Sequence, residues 1–374
     1  MSEYQYIYFE AVDKPLNDKQ LDYMHRQSTR AEITEWQFQN EYHFGDFRGN
    51  SSEMMRRGYD VHLHYANFGV RKIQLSLPSG IPISTKLLKT YSMDESVEWT
   101  KDKNGKGGVL SIDPDCDAGS YYEGYYEIDQ LTSSISKIRD GLIAGDTRLF
   151  YLTWLAFSWD EDALEPQVPA GLSKLPPELI ELANFYELDC DVITAASDQS
   201  PSLPERAGGK ISLDTWLESQ SPENLRSLLR RVLAGDAAAV RAESLVAVRD
   251  QSETAMWPTN EGSRTLGELR QQATSKAEQR RKREQASEKR KRDRHLAKIR
   301  KDPSAAISDA EKLIQTRSTV NYSEAASLLA DLRDAIGGEE GARMAEQAAN
   351  ILVKQYPTRH HLKRTFKVKG LNYR

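Results

Sequence analysis

Apolar positions in the first hundred residues recur mostly at a spacing of two, the mark of half-buried strands. Residues 4–12 (YQYIYFEAV) are aromatic and β-branched and predict a first strand. Trp36, Phe38, Tyr42 and Phe44 alternate with polar neighbours and predict a strand within 35–47, and Ile73, Leu75 and Leu77 do the same across 71–77. The Asn104-Gly105 pair suits a type I′ hairpin turn joining strands at 97–100 and 109–112. Helical signals lie between these strands. Asn17 and Gln20 have the spacing of a capping box, opening a short helix through Leu21 and Met24. Ser51 or Ser52 is placed to start another. Met55, Tyr59, Leu63 and Ala66 then fall at four-, four- and three-residue steps, one helical face, with Gly69 as its stop.

From residue 128 the period lengthens to that of helices. Leu131, Ile135, Ile138 and Leu142 form one stripe. Asp146 is placed to cap a second helix, whose LFYLTWLAF core is apolar nearly all round and is predicted to be buried. The stretch 159–177 is acidic, then proline-rich, and predicts a boundary. Pro177 opens ELIELANFY. Ser221-Pro222 is an N-cap followed by proline at the first helical position. Leu225, Leu228, Leu229 and Val232 are predicted to form that helix's buried face, with Gly235 ending it and 237–248 as its hairpin partner.

Thr265 and Glu268 make a capping box for a long helix that Asp302-Pro303 ends. Three amphipathic helices follow at about 303–316, at 322–336 ending in Gly337-Gly338, and at 339–356 ending before Pro357, with a basic tail after them. The expected fold is therefore α+β. An aromatic-rich domain with a mixed sheet spans 1–127 and a helical region spans 128–249. A linker at 250–264 leads to a long basic helix at 265–301 and a helical-hairpin array with a basic tail at 302–374.

Charge changes this picture at one place. The chain carries a net −5, yet residues 276–301 hold 13 Lys/Arg against 4 Asp/Glu, a local +9 opposed by −14 elsewhere. No run approaches the ~20 apolar residues that cross a bilayer. The start, MSEYQYIYFEAV, lacks a basic n-region and is not read as a signal peptide. Only 2 cysteines occur, Cys116 and Cys190, which fits a reducing compartment, and the expected location is the cytoplasm.

Two segments carry a resemblance. The opening YQYIYFEAVDKPL, with NEYHFGDFRG and YDVHLHYANFGVRKIQLSLP, resembles a group of uncharacterised bacterial proteins of the type YQYYEF…NEYHWGDF…LANWGTRRLML. That resemblance implies no activity. The last segment, with YSEAASLLADLRDAI and RHHLKRTFKVKGL, is similar to the helical tail of some bacterial SWIM zinc-finger proteins. Their CxCx(n)CxH metal motif has no counterpart here, so no zinc site is carried over.

Candidate chemistry is sparse. No nucleophile elbow, Walker A loop or dinucleotide loop occurs. His62 and His64 would point to different sides of a helix but share a face on a strand, where a metal reading gains weight without an evident third ligand. Asp113, Asp115 and Asp117 resemble the start of a calcium loop, but Ala118 and Gly124 stand where the loop needs glycine and a bidentate glutamate. Asp160, Glu161, Asp162 and Glu165 read as a solvated acidic loop. Glu41, His43 and Asp46 cluster among aromatics and form a possible polar site.

Arg280, Arg281, Lys282, Arg283, Lys289, Arg290, Lys291 and Arg292 lie all round the expected basic helix, as phosphate contact without sequence reading requires. The expectation is a non-catalytic adaptor or scaffold subunit of a bacterial multi-protein assembly, binding another protein, with no membrane partner, cofactor or metal. Sequence-nonspecific binding of DNA or RNA through the basic helix is the alternative. An enzyme centred on Glu41, His43 and Asp46 is a second alternative.

Overall fold

The computed structural model of the chain describes residues 4–43, 45–78, 85–91, 96–102, 107–114, 128–203, 213–250 and 257–372. The fold is α+β, as the hydrophobic pattern indicates. The chain divides into two units, Met1–Ala277 and Glu278–Arg374. No helix among the described residues is long and apolar enough to cross a membrane.

The first unit is built on seven strands. They are β1 (Gln5–Glu10), β2 (Glu32–Ile33), β3 (Gln37–Tyr42), β4 (Val61–Ala66), β5 (Val70–Pro78), β6 (Val97–Lys101) and β7 (Gly107–Ile112). They pair in the order β2-β3-β1-β4-β5-β7-β6, and every pair is antiparallel. Alternation sends Tyr6, Tyr8, Leu63, Ile73, Leu75 and Leu110 to one face. Helices Ile135–Ile143, Arg148–Phe157 and Pro177–Phe185 cover that face and share its core. The opposite face carries Ile7, Phe9 and Phe38. They pack with Met24 of helix Asp18–His25 and with Met54 and Met55 of helix Ser51–Arg57.

The Asn17/Gln20 capping box is formed in both directions. The expected helix through Met55, Tyr59, Leu63 and Ala66 is not. The helix ends at Arg57, and 61–66 becomes the central strand β4, hydrogen-bonded to β1 and β5. Two patterns overlap in this stretch. Val61, Leu63 and Tyr65 also satisfy a period of two, and pairing on both edges decides for the strand. Asn50, and neither serine, caps the short helix by accepting from Glu53 N at 3.0 Å. Gly58 then lets the chain turn against Leu16, whose Cδ2 would lie 2.4 Å from an added Cβ. The expected hairpin turn at 104–105 lies outside the described residues, although the strands it would join, β6 and β7, are paired.

One buried cation ties the helices to the sheet. Arg139 is 1% exposed. It donates to Asp13 through two nitrogens at 3.0 and 2.7 Å and to the Ser76 carbonyl at 2.6 Å, with Asp60 at 3.5 Å. Asp60 in turn accepts from the backbone of Val12 and Asp13 at 2.8 and 3.0 Å.

The stretch 159–177 is not a boundary. Within it β8 (Val168–Pro169) pairs with β9 (Thr259–Asn260), and Leu164 bridges Thr265. Arg264 clamps buried Glu165 at 2.9 and 2.7 Å. Of 250–264, residues 251–256 lie outside the described set, while the Trp257 amide donates to Gly145 O at 3.1 Å. Helix Pro222–Leu233 starts at Ser221-Pro222 as expected, but its predicted apolar face is only partly covered: Leu225 and Leu228 are half-buried, while Leu229 is 58% and Val232 39% exposed, and Leu233 beside them is 79% exposed.

In the second unit, helices Pro303–Gln315, Thr319–Ile336, Gly338–Gln355 and His360–Val368 pack around Ile314, Leu329, Leu352 and many alanines. Small residues allow close approach: an added Cβ on Gly341 would lie 2.4 Å from Arg333 O. The expected basic tail is a packed helix, with Leu362 and Phe366 buried one turn apart.

Replacing Arg139 by Met leaves Asp13 and Asp60 without their shared cation, and the expected loss is about 3–5 kcal/mol of unfolding free energy. Tryptophan fluorescence in a urea titration reads this unit selectively, since all 6 tryptophans precede residue 258. A loss under about 1 kcal/mol, the range of a surface ion pair, would contradict the role given to this cluster.

Candidate functional site: the basic helix and the polar face of the sheet

The basic segment forms a single helix, Leu266–Lys301. Its start is fixed by the predicted capping box: Thr265 N donates to Glu268 at 2.9 Å, and Glu268 N donates to Thr265 Oγ1 at 3.2 Å. Its end is fixed by Asp302, which accepts from Ala305 N at 3.0 Å to begin the next helix. Leu266, Leu269 and Ala273 are buried in the first unit's core and Ile299 in the second's. Every residue from 278 to 295 is exposed, a bare stretch of about five turns.

The predicted cations in this stretch differ in their partners. Arg292 is engaged by Asp331 at 2.5 Å and Asp334 at 3.0 Å, and His295 meets Asp331 at 2.9 Å. Hydrogen bonding to Asp331 raises the Arg292 pKa further above its ordinary value. Arg280 pairs along the helix with Glu284 at 3.4 Å. Arg281, Lys282, Arg283, Lys289, Arg290 and Lys291 have no ion pair among the described residues. At 100° per residue they point in all directions from the helix axis.

The three residues of the possible polar site do not converge. Glu41 and His43 face each other at 3.7 Å on the surface, both more than half exposed. His43 lies against the Tyr4 ring at 5.5 Å. Asp46 belongs to a different group: it accepts from Gln5 Nε2 at 2.7 Å, and Gln5 Oε1 accepts from His64 Nε2 at 3.1 Å.

His62 and His64 share the outer face of β4, with ring centroids 6.4 Å apart. His62 is fully buried, stacked on Phe9 at 4.0 Å, and donates through Nδ1 to the Tyr8 carbonyl at 3.0 Å. Burial lowers both imidazoles, to about 3 for His62 and about 4 for His64, so both are neutral. The only cluster of three metal-ligating side chains among the described residues is Asp189, Cys190 and Asp191, and it includes neither histidine. Of the calcium-like aspartates, Asp113 pairs with Lys72 at 2.6 Å, while Asp115, Asp117, Ala118 and Gly124 lie outside the described residues, as does Cys116.

Several buried polar groups carry no motif in the sequence. Arg139 sits inside the stripe ISKIRDGLI, and a charge flanked by Ile138 and Leu142 was the available signal. Glu10 lies on the helical side of β1, and burial pushes its carboxyl up to about 7, opposed by a hydrogen bond from Tyr8. One of its oxygens is buried without a partner among the described residues. Buried Tyr151 donates to Glu165, which also receives Arg264. These groups stitch elements together. Neither family models, characterised proteins nor solved structures match this chain.

The raised Glu10 carboxyl and lowered histidines act on stability in opposite directions. Glu10 holds its proton more tightly in the fold, so it favours folding below its ordinary value of 4.5 and loses that effect as pH rises through about 7. His62 and His64 favour folding above 6.5 and lose it as pH falls toward about 4. Glu10→Gln is expected to raise the urea midpoint at about pH 8 and leave it unchanged near pH 4.5. Equal shifts at both pH values would show that Glu10 does not titrate in this window.

Proposed function

We propose that this chain is an adaptor or scaffold subunit of a multi-protein assembly in the cytoplasm, without chemistry of its own. The exposed apolar face of helix Pro222–Leu233 carries this reading. Leu229, Val232 and Leu233 occur at helical spacing and all face solvent. A helix with so clear an apolar stripe ordinarily buries it, and a contiguous exposed stripe marks an interaction surface more often than scattered single residues do. The hairpin is held by Arg231, which pairs with Asp236 at 2.7 Å and Glu243 at 2.6 Å across the turn. Its apolar side is therefore presented by a defined scaffold. Leu229→Glu with Leu233→Glu is expected to abolish co-purification of protein partners from nuclease-treated native extracts while leaving the circular dichroism spectrum unchanged. Retention of the same partners by the folded variant would overturn the reading.

A second reading, nucleic-acid contact, is favoured by the bare cations of the basic helix. Six of the eight candidate side chains are exposed and have no ion pair among the described residues. If these six each neutralise one phosphate, log K should fall with log salt at a slope of about −5. Reversing Lys282, Arg283, Lys289 and Arg290 to Glu should remove duplex DNA and RNA binding at low salt. Unchanged affinity in that variant would dispose of the second reading.

A further inference from the structure

The outer face of the sheet carries a concavity of about 260 Å³ over β5, β7 and β6, walled on one side by helix Ser51–Arg57. It is independent of the adaptor surface and of the basic helix. Its two walls differ in charge. Arg56 stands on the helix wall, where its Nε meets Ser52 O at 3.2 Å and Glu53 at 3.9 Å. The terminal nitrogens of its guanidinium have no partner among the described residues. Glu98 on β6 and Asp102 just past its end stand at the sheet's edge, and neither meets a cation among the described residues.

The floor joins these walls. Gln74 on β5 is in register with Ser111 on β7, and Ser111 with Glu98 on β6, so the three form one row across the sheet. Two strand spacings, about 10 Å, separate the ends of that row. The Gln74 side chain is 3% exposed and donates to Ser111 Oγ at 3.3 Å. Its carbonyl oxygen is buried without a donor among the described residues. Buried carbonyls are seldom left so, and such an atom calls for a partner.

The lining selects a ligand class. Val109 is its only apolar side chain among the described residues, and no aromatic ring is present, so neither a greasy ligand nor one held by stacking suits it. A phosphate-like anion does not suit it either. Lys72 is already neutralised by Asp113 at 2.6 Å, and Glu98 and Asp102 add negative charge against Arg56 alone. A simple cation would leave the Arg56 fork unused. The volume lies below the roughly 300–1,000 Å³ of pockets for drug-sized molecules. We propose that this concavity binds a small zwitterion of the amino-acid class, with its carboxylate on Arg56 and its ammonium toward Glu98 and the Gln74 carbonyl. The guanidinium fork matches a carboxylate by two parallel hydrogen bonds. Glu98 accepts from Thr100 Oγ1 at 3.2 Å, and an ammonium supplies the cationic donor that this wall lacks.

Calorimetric titration of the full chain tests this with free L-serine, L-glutamine and L-arginine, each beside its methyl ester and its N-acetyl derivative. At least one free amino acid is expected to bind, and both of its derivatives are expected to bind at least tenfold more weakly. Arg56→Gln and Glu98→Gln alter exposed side chains and are each expected to weaken binding at least tenfold. Arg57→Gln, on the same helix but outside the lining, should not. The proposal is overturned if none of the three binds at about 10 mM (a Kd there corresponds to under 3 kcal/mol of affinity, by about 1.4 kcal/mol per tenfold). It is also overturned if the derivatives bind as well as the parent, or if both lining variants retain wild-type affinity.

Discussion

Buried guanidiniums hold the first unit together, and Arg139 is the most deeply buried of them. Arg139 lies under the sheet with almost no exposure and is held by Asp13, by Asp60 and by the Ser76 carbonyl. These partners lie just after β1, just before β4 and within β5. A cation in this position is tolerable only when every donor is used. Meeting that condition draws three strands and helix Ile135–Ile143 into one arrangement. The helical half thus belongs to the sheet's own core, and Glu165 with Arg264 repeats the device further along the chain.

With the buried charges committed to architecture, interaction is left to the surfaces. The surface charge is arranged by segment. The long helix carries its cations outward over a stretch that packs against nothing among the described residues, and Arg292 is an exception because Asp331 and Asp334 claim it. Helix Pro222–Leu233 presents an apolar stripe where an ordinary amphipathic helix would hide one. The neutral histidines of β4 belong to the packed interior of the outer face, not to a titrating centre.

Much of the fold was legible because local chemistry and tertiary structure agree. Asn17 with Gln20, Ser221-Pro222, Thr265 with Glu268, and Asp302-Pro303 each fix an element end by side-chain hydrogen bonding or proline geometry within a few residues. Residues 61–66 were misread because Tyr59, Leu63 and Ala66 fit a helical face while Val61, Leu63 and Tyr65 fit a strand. Only pairing with distant β1 and β5 decides between them. Residues 159–177 were misread for a related reason: a charged, proline-rich stretch looks like a border until Arg264, about a hundred residues on, reaches Glu165. The polar groups of the sheet's outer face were scattered as single letters. Gln74, Ser111 and Glu98 become one row only through strand register, which no local pattern states. Glu41, His43 and Asp46 show the converse: Glu41 and His43 meet at the surface, but closeness in sequence did not bring Asp46 to them, and it bonds Gln5 instead.

We propose that this chain works through the apolar face of its exposed hairpin. A photo-crosslinking residue placed at position 233 and activated in native cells tests this most directly. Position 312, on the exposed surface of helix Pro303–Gln315, serves as the control. A discrete protein adduct is expected at 233 and absent at 312. No adduct at 233, or the same diffuse products at both positions, would contradict it.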